Sequence, residues 1–289
     1  MNEAAKKAAN PNAPYTPDEI IADALACAKA GAAIVHFHGR NADGSESSRA
    51  EDFRAVLAGV RAGSDLTVHP TLGRFRGGAG PEERLSNIEE LSLRSNLKPD
   101  IAPLDMGSNN VDFWDAGAAD FSGGGFVYAN STADLRLMAG RLRDWGVKPQ
   151  LAIWSVPNLR LMGAFIEAGL VAEPAFAVVF LAGERFLGGH PATSAGLRAY
   201  VDNLPKRRVA WSVMAHEANL LPLVPEIIGL GGHVSIGLGD YAYRELGAPT
   251  NADLVRRVVE IARAMGREVA TPAEARAMLN ITDAPKRAH

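Results

Sequence analysis

His36 and His38 stand two residues apart at the end of the run Ala-Ala-Ile-Val-His-Phe-His, residues 32 to 38. A short apolar run, entered from Gly31 and left through Gly39, reads as a buried parallel strand. Side chains alternate faces along a strand, so the two imidazoles point the same way, with Val35 and Phe37 opposite. Two imidazoles on one face, at the strand end where parallel α/β folds carry their chemistry, form half of a site for a divalent metal. The competing reading is a pair of core histidines hydrogen-bonded to their neighbours.

Elements able to position such a pair recur along the chain. Thr16-Pro17-Asp18-Glu19 is a capping box with proline at the first helical position, predicting a helix to about residue 30. Ser48 to Glu51 repeats the signal for a helix to about 62, and Pro81-Glu82-Glu83-Arg84 opens another. Strand-like runs fall at 32–38, 66–71, 100–104, 149–154, 175–181, 208–213 and 233–238, with helical patterns at 131–145, 157–169, 192–203, 217–229 and 251–265. Seven strands in βα order predict one α/β domain over residues 1–289, closed as a (β/α)8 barrel or open and doubly wound. The stretch 123–128 is expected to decorate the loop after strand 100–104, and Thr271-Pro272-Ala273-Glu274 to open a last short helix.

Composition narrows the partners. With 289 residues, 47% of them hydrophobic, the chain can bury a full core. A net charge of -3 and no long basic run give no footprint for nucleic acid, so the expected partners are small molecules. Cys27, the sole cysteine, falls in a predicted helix and offers neither disulfide nor thiolate metal site. No apolar stretch reaches membrane-spanning length and no apolar leader core is seen, so a cytoplasmic location is expected. Gly229-Leu230-Gly231-Gly232 precedes a strand rather than following one and is not a dinucleotide fingerprint.

Ala30 to Arg40, Pro81 to Leu85, Leu97-Lys98-Pro99-Asp100, Gly231-Gly232-His233-Val234 and Gly266 to Arg276, in this order and spacing, resemble the β-keto acid cleavage enzymes, the family that includes 3-keto-5-aminohexanoate cleavage enzyme. The resemblance spans nearly the whole chain. It implies a (β/α)8 TIM-type barrel, a zinc ion held by residues matching His36 and His38, a homo-oligomer such as a tetramer, and transfer between a β-keto acid and acetyl-CoA giving acetoacetate and a new acyl-CoA. Asp240 matches the family's catalytic aspartate.

Four positions depart from the family pattern. Gly239 stands where a glutamate completes the zinc site, Ser235 where an arginine holds substrate, Ala152 where a strand carries glutamate, and Pro70 where a strand ends in serine. A replacement metal ligand is sought among Glu217, His216, His69 and Asp240, with Glu217 favoured; its other reading is a carboxylate at a helix N-terminus. His69, Thr71, Asp105 and His216 are expected to line the substrate site, with Asn109 at the same rim. Arg74, with Arg76, is expected to grip a carboxylate or a coenzyme phosphate. The family chain begins with a strand leading into the Asn-Glu-Ala segment, whereas Met1 falls near that strand's end. The barrel is therefore expected either to lack its first strand or to have it encoded upstream.

Three functions compete at this stage. The first is metal-dependent carbon–carbon cleavage, in which the metal polarises the keto acid and Asp240 acts as general base. The second is a metal-dependent hydrolase of the amidohydrolase type, using the His-x-His strand with His216, His233 and Asp240. The third is a ligand-binding relative without turnover.

Overall fold

The computed structural model describes residues 6–73, 79–94, 96–122 and 124–282. Helix α1 (Pro17–Ala30) starts at the predicted capping box and ends at Gly31, whose φ of 110° turns the chain out of the helix. Strand β1 (Ile34–Phe37), helix α2 (Ala50–Gly63), strand β2 (Thr67–Pro70), helix α3 (Pro81–Ser92) and strand β3 (Ile101–Asp105) follow. After β3 the chain makes an excursion of two antiparallel ribbons, β4 (Asn109–Val111) with β7 (Phe126–Tyr128) and β5 (Trp114–Asp115) with β6 (Asp120–Phe121). The alternation resumes with α4 (Thr132–Asp144), β8 (Lys148–Ile153), α5 (Val156–Glu167) and β9 (Ala175–Ala182). It continues through β10 (His190–Pro191), α6 (Ser194–Val201), β11 (Val209–His216), α7 (Val224–Gly229), β12 (His233–Val234), α8 (Asn251–Ala264) and α9 (Pro272–Met278).

All seven principal strands run parallel, in the order β1-β2, then β3-β8-β9-β11-β12. Between β2 and β3 a side chain joins the backbone: Asp100 N donates to Val68 O, and the Asp100 carboxylate accepts from Val68 N at 2.8 Å. Arg61 and Arg276 lie 3.7 and 3.4 Å from the same buried carboxylate, compensating its loss of water. Outside, α1 packs on α2 and also on α8, closing the helical ring. Among the described residues no strand lies between β12 and β1.

Alternation along each strand divides the core. Ala175, Ala177, Val179 and Leu181 of β9 face the helices with Trp211, Val213 and Ala215 of β11, while Phe176, Val178 and Phe180 face the interior with Ile34, Ile101 and Met214. Leu279, just past α9, is buried among these interior residues, a burial contributing about 2 kcal/mol.

Four sequence expectations need correction. Strand β11 runs on through His216, because Met214-Ala215-His216 keeps pairing with β9, so Glu217 follows a strand rather than opening a helix. Helix α7 begins only at Val224, after a 3-10 turn at Leu221–Leu223, where Pro222 and Pro225 break an earlier start. The expected strand 233–238 is two residues long, since the backbone from Ser235 to Asp240 is pinned in a loop. Helix α2 is capped at Arg49 without a side-chain hydrogen bond, one residue past the expected Ser48.

Candidate active site

Strands β1 and β2 are in register, with His36 beside His69. His36 Nδ1 lies 2.9 Å from the carbonyl oxygen of His69, a contact that requires Nδ1–H as donor and leaves Nε2 with a bare lone pair. His36 Nε2 and His38 Nε2 are 3.1 Å apart. Two zinc–nitrogen bonds of roughly 2.0–2.1 Å at a tetrahedral angle set their nitrogens about 3.3 Å apart, so the pair fits a shared ion. The hydrogen bond from His36 to a backbone carbonyl is the kind of support that fixes a ligand's tautomer. Without an ion, the same contact is a hydrogen bond that His38 donates to His36.

Burial favours the neutral rings. It lowers the His36 pKa to about 4, partly offset by the bond to the His69 carbonyl. Burial likewise takes His38 well below 6.5, and a neighbouring His36 cation would lower it further. His36 retains accessible surface although protein surrounds it, because the ring borders an internal cavity of about 680 Å³. His69, buried and 4.4 Å from the His36 ring centroid, is also held neutral by burial and by His36.

The cavity brings together most of the residues singled out in the sequence. His36, His38, His69, Thr71, Asp105 and His216 line it, as do Asn109 and Asp240. Asp240 is positioned by its loop: Asn251 Oδ1 accepts from Leu238 N at 2.7 Å, Asn251 Nδ2 donates to Asp23 of α1, and Glu217 N donates to Asp240 O. Glu217 itself is not brought to the histidine pair. Its backbone turns through a φ of 56°, it is absent from the cavity lining, and its carboxylate lies 3.8 Å from Arg185. No group of three ligating side chains forms among the described residues, so the expected third ligand is not supplied by the present arrangement. His233 begins β12, at the opposite end of its strand from the rim, beside the Arg267 charge that helps burial lower its pKa. The hydrolase constellation is therefore not assembled. Arg74 and Arg76 lie outside the described residues.

Sequence reasoning missed the partners of Asp105. Tyr128, delivered by β7, donates to Asp105 Oδ2 at 3.0 Å, and Trp154 Nε1 donates to Oδ1 at 3.1 Å. Arg84, 3% exposed, bonds the Tyr128 hydroxyl and stacks over its ring with Cζ 4.7 Å from the centroid. Burial, then the Asp105 charge, holds the Tyr128 pKa well above 10, so the phenol stays protonated as a donor. Trp154 was legible by parity, two residues beyond inward-facing Ala152, whereas nothing in the sequence announced that Tyr128 folds back over the mouth.

A family profile described as beta-keto acid cleavage enzyme matches residues 2–281. The chain is 31% identical over 276 residues to a 3-keto-5-aminohexanoate cleavage enzyme of Acetoanaerobium sticklandii, covering 94% of this chain and 93% of that protein. It is 27% identical over 291 residues to a 3,5-dioxohexanoate:acetyl-CoA acetone transferase of Paraburkholderia graminis, covering 95% and 91%. Among solved structures, ObcA in a binary complex with oxaloacetate superposes with a TM-score of 0.72 at 15% identity, over 94% of this chain and 68% of that one, which supports the barrel fold. With the profile matched almost end to end on this barrel, the chain belongs to the beta-keto acid cleavage enzyme family.

Proposed function

We propose that this protein cleaves a β-keto acid at the expense of acetyl-CoA, so that R–CO–CH2–COO⁻ and acetyl-CoA give acetoacetate and R–CO–CoA. The C2–C3 bond of the keto acid breaks, the acetyl carbonyl carbon becomes bonded to C2, and the R–CO group leaves on the coenzyme sulfur. Atoms and charge balance without an oxidant or reductant. The observation that carries the reading is the His36–His38 pair, with nitrogens 3.1 Å apart on the cavity wall of a chain belonging to this family.

A divalent ion such as zinc, when bound, would be held by His36 and His38 and would polarise the keto acid's carbonyl oxygen as a Lewis acid. His69 contributes its backbone carbonyl, which orients His36. Asp240, on the cavity wall, is assigned the proton at C2 as general base. Asp105 is fixed by two donors and offers a rigid acceptor edge on the same rim. Thr71 and His216 border the space the substrate would fill.

The test is incubation of the metal-loaded protein with acetyl-CoA and a panel of β-keto acids, scoring acetoacetate and the matching acyl-CoA. Both products in equal amounts, lost in Asp240→Asn, are expected; no acyl-CoA from any keto acid would overturn the reading. Binding without turnover is the second reading, favoured by the side-chain-free Gly239 and the two-histidine set.

A further inference from the structure

The cavity wall opposite the histidines carries a cluster of rings among smaller side chains such as Ala152, Val178 and Ser212. Trp154 follows β8, Phe180 lies on β9, Phe186 follows β9, and His216 ends β11, all bordering the cavity. Trp154 and Phe180 lie 4.1 Å apart between centroids, Phe186 meets Trp154 at 5.3 Å and His216 at 5.1 Å, and Phe113 from the excursion adds to Phe186 at 5.8 Å. Tilted and edge-to-face pairs at these spacings make one continuous surface. Rings touching each other are not spread around a central void as an ammonium-binding box requires, with a cation near several ring faces.

The wall's charges are also engaged. Asp105 gives one oxygen to Trp154 Nε1 and the other to Tyr128. Arg185 stacks over Phe113 with Cζ 5.6 Å from the ring centroid and lies 3.8 Å from the Glu217 carboxylate, and neither of these two charged residues lines the cavity. Burial keeps His216 neutral, its pKa lowered to about 3. In strand order, β1 and β2 with the histidines are separated from β9 and β11 by β3 and β8, so the polar and ring-lined faces oppose each other across the barrel.

We infer that the wall of Trp154, Phe180, Phe186, Phe113 and His216 binds the tail of the substrate, and that this tail is uncharged and apolar, aliphatic or aromatic. The inference rests on the keto acid reading above, with the carboxylate and carbonyl at the histidine side and the R group on the rings. Each methylene removed from water against such a wall contributes roughly fourfold in affinity, so a longer apolar tail is favoured until the wall is covered.

The experiment compares 3-oxooctanoate with 3-oxoadipate and 3-keto-5-aminohexanoate, carrying apolar, anionic and cationic tails, under acetyl-CoA. The expected kcat/KM for 3-oxooctanoate exceeds both others by at least tenfold. Phe186→Ala lowers it by about tenfold while the short 3-oxopentanoate changes less than threefold, and Phe186→Leu, which keeps apolar surface, restores most of the loss. Equal or better use of a charged tail, or an equal loss for both chain lengths in Phe186→Ala with no recovery in Phe186→Leu, overturns the inference. If no keto acid turns over, the reaction reading fails separately, and the inference is decided by binding, read as Trp154 fluorescence quenching with Trp154→Phe as the blank. Tighter binding of 3-oxooctanoate than of the charged acids then supports it, and no preference sinks it.

Discussion

Replacing His216 by phenylalanine should make the protein more acid-tolerant. His216 is 6% exposed, and its ring meets Phe186 and Trp154 edge to face. Burial lowers its pKa from 6.5 to about 3, so the folded protein keeps the ring neutral where an unfolded chain protonates it. A depressed histidine pKa means that the unfolded state holds more protons between pH 3 and 6.5. Stability therefore falls as pH drops through this window and is insensitive to His216 above it. From pH 7 to pH 5 the shift works out at about 2 kcal/mol lost through this one residue.

Phenylalanine retains the ring contacts and removes the titration. Urea unfolding of wild type and His216→Phe at pH 7 and pH 5 measures the difference directly. The expected result is a stability drop between the two pH values that is smaller in the variant by about 2 kcal/mol, whatever the variant's stability at pH 7. Parallel drops in both proteins would refute the reasoning, because they would mean that His216 takes up its proton in the folded state as readily as in the unfolded one.

Removing either imidazole of the pair, in His36→Ala or His38→Ala, should abolish stoichiometric metal, and elemental analysis with wild-type metal content in both variants would count against a site there. Gly239→Glu places a carboxylate on the cavity wall beside Asp240 and should tighten zinc binding at least tenfold by supplying a third ligand; an unchanged affinity in a competition titration would show that residue 239 does not reach the pair. Asp100→Ala leaves Arg61 and Arg276 facing each other, strips Val68 N of its acceptor, and should cost about 3 kcal/mol in urea unfolding. A loss under 1 kcal/mol would show that the β2–β3 junction does not depend on this carboxylate.

What the sequence made legible follows from periodicity. The two-residue period placed His36 and His38 on one face, and the same rule, carried along β2 and β3, puts His69, Thr71 and Asp105 on the cavity. It failed where geometry breaks the period. Glu217 comes one residue after the last strand residue and turns through the left-handed region, a conformation that neither its side chain nor its neighbours signal. Short ribbons such as β5 and β7 carry too few residues for a pattern, so Phe113, just before β5, and Tyr128, on β7, could not be assigned to the barrel mouth. Asn251, which holds the Asp240 loop, reads in sequence only as the first residue of a helix behind the cap Thr250.

The division of the cavity bears on how one barrel serves different keto acids. The polar groups assigned above to the keto acid head come from β1, β2, β3 and the Asp240 loop, whereas the rings come from β8, β9, β11 and the excursion. Side chains on separate strands can change without disturbing each other's backbone, since each strand is held by its own ladder and its own helix. Asp105 is the exception, because its two oxygens tie the polar half to Trp154 of the ring wall and to Tyr128 of the excursion. A substitution there would release both donors at once. It would loosen the wall and the β7 cover together, so that, on the substrate placement proposed above, head and tail would be coupled through this carboxylate rather than through a direct contact between the two halves.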